Sequence, residues 1–271
     1  MHVQRSLSAI LLLVAGVLLS IGVGSWWLQR TVFTPGASVD IAEAILDDAG
    51  IRLEIITVVS ARTAGTLETD PTELAAFLDT SVLGTTPGAA VMAEPLQRAH
   101  LRIIGSNDDL VVIVPTELVQ IVRDERALDS APATIPVPVI GALKTTRTAS
   151  GWVMLISSGL GVLALLAALA TRPYRGELQR GLGEFMIATA VAVLTIGWAL
   201  PKFVIPAVDS NTWTGAVPHL ADRNLGVVIG GSLVLVVGGL LLVLSGVNST
   251  RRGPRVQPAP TMRYRPDTGW G

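Results

Sequence analysis

Proton transfer or metal ligation near neutral pH would fall first to the three histidines, His2, His100 and His219, the side chains best suited to both. A metal site needs ligands at fixed offsets, as in HxH or HExxH, and no histidine here has such a neighbour. His100 stands between Arg98 and Arg102 on a predicted helix, which suits a surface or partly buried structural residue. The carboxylates Glu68, Asp70, Glu73 and Asp79 fall close together in the chain. Clustered around a pocket at a membrane face, they could do acid–base work on an envelope lipid or glycan. Asp108–Asp109 lacks the periodic acids and distal glutamate of a calcium loop and reads as a turn cap. The serines lie outside any GxSxG elbow, and no glycine-rich phosphate loop follows a predicted strand. With no cysteine, disulfides and thiolate-ligated metals are excluded. The chain therefore carries no assignable catalytic, cofactor-binding or metal-ligating residue, and no cofactor is expected.

Ionisable groups at membrane depth would be further suspects. Glu184 and Lys202 lie near opposite ends of one apolar run, close enough to headgroups to snorkel. No acid, base or histidine sits mid-run, so an ion-coupled transporter or proton relay lacks its usual parts.

These residues are positioned by four apolar runs, at about Ala9–Leu28, Gly151–Thr171, Phe185–Val208 and Leu225–Val247. Each has the ~20 residues that a helix needs to cross a ~30 Å hydrocarbon core. Half of the residues are hydrophobic and only 15% are charged, well under the ~25% of a soluble domain. The fold class expected is an α-helical integral membrane protein: four transmembrane helices plus a mostly helical α+β extracytoplasmic domain. Its parts are an N-terminal anchor (1–30), the outward domain (31–149), a three-helix transmembrane region (150–247) and a disordered basic cytoplasmic tail (248–271).

Charge sets the orientation. Residues 31–149 hold 16 of the 21 acidic side chains against 8 basic ones, a net of −8. The tail holds Arg251, Arg252, Arg255, Arg263 and Arg265 against Asp267 alone. Arg172, Arg175 and Arg180 mark the loop between runs two and three, and Arg5 precedes run one. The positive-inside rule puts these basic segments, and both termini, in the cytoplasm. Residues 31–149 and a short 209–224 loop then face outward. Trp26, Trp27, Trp152, Trp198 and Trp213 all fall near that predicted outer interface, where indoles settle. The rival reading of run one is a signal peptide cleaved before Trp26–Trp27. Its length favours an uncleaved anchor.

Within 31–149, Thr34–Pro35–Gly36 reads as a turn, followed by a helix with Ile41, Ile45 and Leu46 on one face. A second helix carries Leu53, Ile55, Ile56 and Val59. Asp70–Pro71–Thr72–Glu73 is a helix start, with an N-cap acid and proline at the first helical position; Leu74, Phe77 and Leu78 follow as its stripe. Thr86–Pro87–Gly88 reads as a loop before a helix over 90–103 that Pro95 interrupts or whose first turn it marks. Residues 110–114 read as a strand and 116–125 as a helix. The 133–140 segment, with Pro136 and Pro138, reads as an edge strand or strap. Small residues recur at four-residue spacing in run one (Gly16, Ser20, Gly24) and run four (Gly226, Gly230), which lets helices approach closely in a four-helix bundle. Pro201 and Pro206 should end or kink run three. The tail can lie on anionic lipid, and Trp270 can anchor it in the interface or serve as a short docking motif.

Thr31–Val32–Phe33, Val111–Val119, Ile135–Pro136–Val137–Pro138 and the RPYRGELQRGLG stretch from Arg172 to Gly183, taken in order, resemble an uncharacterised actinobacterial family of four-span integral membrane proteins with an extracytoplasmic domain between spans one and two. The likeness covers most of residues 5–247, with Phe33–Thr34 where that family has Leu-Asp. Arginine outnumbers lysine 18 to 2, as in GC-rich bacterial genomes. The resemblance implies topology and source and carries no catalytic residue. The partners expected are the lipid bilayer and an envelope protein or lipid; the acidic domain argues against nucleic acid. The function expected is that of a non-enzymatic cell-envelope membrane protein whose outward domain binds or positions a protein, lipid or wall component. The alternatives are a membrane-bound enzyme on envelope lipid or glycan, and a sensor signalling to the basic tail.

Overall fold

The structure is a computed structural model that describes residues 2–33, 39–171, 175–209 and 211–251. The expected turn at Thr34–Pro35–Gly36, Arg172 and the tail from Arg252, with Trp270, lie outside the described residues.

Four helices are long and apolar enough to cross a membrane, over Leu7–Phe33, Gly141–Ala170, Gly176–Val208 and Leu225–Val247. They belong to α1 (His2–Leu28), α7 (Gly141–Ala170), α8 (Arg175–Leu194) and α11 (Leu225–Arg251). The four do not form the closed bundle that the small-residue spacing suggested. They pack as a row, with α1 between α7 and α8, and α8 between α1 and α11. Small residues permit each contact. Gly22 of α1 faces Ser157 and Ser158 of α7, while Gly16 and Gly24 face Phe185 and Ala192 of α8. Ser20 Oγ lies 3.0 Å from Thr189 Oγ1 across the same interface. Between α8 and α11 a Cβ on Gly183 would stand 2.5 Å from the Gly239 carbonyl oxygen, and one on Gly239 would stand 2.7 Å from that of Gly183. Two backbones so close admit no side chain at either position. Gly226 and Gly230, in contrast, face open space.

The third span does not end at its prolines. Residues Thr195–Val204 widen into a π-helix that contains Pro201, and α9 (Ile205–Val208) continues from it with Pro206 in its first turn. The wider winding absorbs a residue that cannot donate a backbone hydrogen bond. Run one likewise ends in a π-helical turn, Gln29–Phe33.

The segment between the first two spans holds α2 (Val39–Leu46), α3 (Ala49–Leu67), α4 (Pro71–Phe77), α5 (Thr86–Ile103) and α6 (Pro115–Val122), with π-helical residues Leu78–Leu83 after α4. Strands β1 (Val111–Ile113) and β2 (Ala133–Ile135) pair antiparallel with Val111 opposite Ile135. Buried residues at three- and four-residue spacing explain the two longest helices of the segment: Ile51, Ile55, Val59 and Thr63 on α3, and Met92, Leu96, Ala99 and Ile103 on α5. Asp70 caps α4 as its sequence requires, accepting from the Thr72 and Glu73 amides. Leu53 and Phe77, placed on apolar faces by the sequence, are exposed. Thr86–Pro87–Gly88 is not a loop but the first turn of α5: Thr85 is its N-cap, and proline fits where no intrahelical donor is needed. Pro95 lies inside the same helix without breaking it.

The largest departure concerns residues 209–224. They form a short 3-10 turn, Thr212–Gly215, and α10 (Ala216–Arg223), and they are not a surface loop. Trp213, expected at the lipid interface, is 1% exposed. With Ala216 and Val217 it belongs to the same hydrophobic core as Ile51, Ile55 and Met92, and so do Leu28, Val32 and Phe33 from the end of span one. The core therefore runs without a break from the span ends into the segment between spans one and two.

Candidate functional site

The polar and charged groups of interest gather where the spans meet this core. Gln29, one residue past α1, donates from Nε2 to the Arg147 carbonyl at 2.6 Å and to Ser150 Oγ at 2.7 Å. Both acceptors lie in the part of α7 that precedes its apolar run. The bonds lock span one to span two and bring Arg30 and Arg147 to one groove of about 640 Å³. Trp26 and Trp152 flank the guanidinium groups, and Gly151, Met154 and Leu155 form the apolar floor. Neither Arg30 nor Arg147 has a carboxylate partner among the described residues, and no acid lines the groove. Two uncompensated cations on one concave surface attract an anion.

A second group ties α10 to the third span. Lys202 Nζ lies 2.8 Å from both Asp222 oxygens, and Trp198 Nε1 donates to Asp222 Oδ1 at 3.0 Å. The ammonium also sits 5.1 Å from the Trp198 ring centroid, within reach of a cation–π attraction. Burial pushes the Asp222 carboxyl up, but the Lys202 and Trp198 donors outweigh it and hold the group below its ordinary range. Lys202, expected to reach outward for headgroups, is thus spent on an internal pair. Arg223 pairs with Asp40 of α2, so α10 is tied to the third span at one point and to the segment between spans one and two at another. Glu184, the other membrane-depth suspect, pairs with Arg180 one turn away at 2.8 Å.

His100 lies beneath the end of span one, fully buried. Burial lowers its pKa to about 4, partly offset by a hydrogen bond to the Val32 backbone. Its Nε2 finds no partner among the described residues; the ring, neutral at physiological pH, ties α5 to span one through Val32. His219 lies on α10, and the side chain of His2 lies outside the described residues. Among the described residues no three His, Asp or Glu side chains converge on a common metal position.

The four carboxylates raised by the sequence do not converge on a pocket. Asp70 is a helix cap, its carboxyl held low by the Thr72 and Glu73 amides. Asp79 pairs with Arg52 at 2.8 Å. Glu68 ends α3 in a left-handed conformation. None of the four, Glu73 included, lines the groove. Asp108–Asp109 sits in a turn in which Asn107 Oδ1 accepts from the Asp109 amide. Sequence reasoning missed the Arg30–Arg147 groove. The available signal was an Arg–Trp pair at the domain-side end of each of two apolar runs, Trp26 with Arg30 and Arg147 with Trp152.

No protein family model matches this chain, and neither a curated protein nor a solved structure matches it significantly.

Proposed function

We propose that the chain is a non-enzymatic, multi-pass cell-membrane protein that holds a rigidly mounted outward domain in position to bind or place an envelope protein, lipid or wall component. On this reading residues 31–149 are extracytoplasmic and both termini cytoplasmic. The observation that carries it is the unbroken core: Leu28 and Phe33 of span one, Ile205 of α9 and Trp213 between spans three and four pack with Ile51, Ile55 and Met92. A domain meant to swing on a tether would be joined by polar linkers with few crossing contacts, whereas this one is built into the span ends. Of the four carboxylates raised by the sequence, Asp70 caps a helix, Asp79 is in an ion pair, and none lines the groove, which favours positioning over chemistry. The place of span one between α7 and α8 favours an uncleaved anchor, because its loss would separate the remaining spans. The basic flanks fit an envelope setting.

The test is cross-linking in intact cells from photoreactive residues placed at exposed sites on α3 and α6, followed by identification of neighbours. A reproducible envelope neighbour is the expected result. Recovery of the protein alone, or labelling that finds 31–149 shielded from the cell exterior, refutes the proposal.

A further inference from the structure

We propose that the Arg30–Arg147 groove binds the phosphate headgroup of an anionic phospholipid, whose acyl chain runs down the outer face of α7. The inference shares with the preceding one only the premise that the four helices cross a bilayer, and it adds a site and a ligand class.

Depth supports it first. The apolar run of α7 begins at Gly151, but the helix begins at Gly141, so Arg147 stands about 6 Å above the hydrocarbon edge at 1.5 Å per residue. The headgroup layer on each side of a bilayer is about 5–7 Å thick. Arg30 follows the last α-helical residue of span one by two positions, which puts it in the same layer. Both guanidinium groups therefore meet phosphates and not acyl chains.

Charge supports it next. Among the described residues Arg30 and Arg147 have no carboxylate partner, although residues 31–149 carry a net of −8, and the groove they share holds no acid. A forked guanidinium matches phosphate oxygens geometrically, and two of them span one phosphodiester or neighbouring headgroup oxygens. Gln29 is committed to the α1–α7 contact, so the walls are fixed before any ligand arrives and little ordering is needed on binding.

The shape also suits a lipid better than a free anion. Leu155, which lines the groove, is itself exposed. Below it the exposed apolar face continues through Ile156, Leu163 and Leu166 of α7. Trp26 and Trp152 are 48% and 62% exposed, as expected of indoles that sit among headgroups. A soluble phosphate would use the two cations and leave the apolar floor without an occupant.

The full-length protein, reconstituted in an equimolar mixture of phosphatidylglycerol and phosphatidylcholine, is released into mild detergent, and retained lipid is read by native mass spectrometry. Wild type should retain phosphatidylglycerol preferentially. At the affinity expected per basic residue near an anionic surface, Arg30→Gln and Arg147→Gln should each lower that preference about fivefold, and the double variant about 25-fold. Arg180→Gln, at the far end of the spans, should leave it unchanged. Gly151→Leu fills the floor while keeping both cations, and a Cβ there meets only Gln29 Nε2 at 3.5 Å; it should lower retention too, and it decides the matter if the double variant fails to fold. Equal retention of the two lipids by wild type, or a preference unchanged in the double variant and in Gly151→Leu, overturns the proposal. Displacement of the lipid by millimolar inorganic phosphate also overturns it, by revealing a free-anion site. Loss of lipid preference with intact cross-links to a neighbour removes this inference alone, and the converse removes only the positioning role.

Discussion

Replacing Trp213 by alanine tests whether the chain between spans three and four is part of the core. The indole is 1% exposed and so removes up to about 250 Å² from water, worth roughly 6 kcal/mol at about 25 cal/mol per Å². Its Nε1 has no hydrogen-bond partner among the described residues, and an orphaned buried donor costs about 1–3 kcal/mol. The net, about 4 kcal/mol, falls in the ~3–5 kcal/mol range for large aromatic truncations. For a chain of this size it lowers the midpoint of thermal unfolding by about 10 °C. The assay is a thermal melt in mild detergent followed by near-UV circular dichroism. Trp152→Ala is the control, since that indole is 62% exposed, and its cost should stay within about 0.5 kcal/mol. Trp213→Phe keeps most of the ring and deletes the orphaned N–H, so it should cost under about 1.5 kcal/mol. If Trp213→Ala and Trp152→Ala shift the midpoint equally, residues 209–224 are a lipid-facing loop and the continuous core is refuted.

Protonation of His100 should destabilise the fold. The folded imidazole stays neutral down to about pH 4, whereas the unfolded one takes up a proton near pH 6.5. Stability is therefore full above about pH 6.5 and falls, by up to about 3 kcal/mol, as the pH drops to about 4; melts across that window should flatten in His100→Gln. Gly239→Ile should force α11 away from Gly183 at a cost of about 1–3 kcal/mol, read as lost disulfide yield between cysteines introduced on α8 and α11, while Gly230→Ala, facing open space, keeps the yield. Glu117→Ala removes both the Arg98 ion pair and the acceptor of the Val114 amide. It should cost about 1–2 kcal/mol in the same melt, whereas Glu94→Ala on the exposed side of Arg98 should cost under about 0.5 kcal/mol.

What could be seen in the residues beforehand was whatever short stretches decide among themselves. Four apolar runs mark four helices because crossing length is a local property, and Asp70–Pro71–Thr72–Glu73 marks a helix start because its partners lie within three positions. Thr86–Pro87–Gly88 misled because proline and glycine serve turns and helix starts alike; Thr85 as N-cap settles which. Trp213 misled because an indole at a lipid interface and one in a core have the same neighbours in sequence. Pro136 and Pro138 make 133–140 an edge strand or a strap, and the segment is both in turn: pairing stops at Ile135, and of residues 136–140 only Val137 and Ile140 are buried. The groove was out of reach because Arg30 and Arg147 are brought together by the pairing of α1 with α7, and periodicity says nothing about which spans become neighbours.

The order in which the core is completed has a consequence for biogenesis. Residues 39–149 leave the ribosome early, but Trp213, Ala216 and Val217 lie roughly 70 residues further on. At ~5–20 residues per second, translation supplies them about 3–14 s later. Until the second and third helices have been inserted, the earlier segment lacks part of its interior and leaves apolar surface open to chaperones or to aggregation. A stall in translocation after Ala149 should therefore leave a protease-sensitive intermediate, and release of the stall should make it resistant before the last helix enters the bilayer.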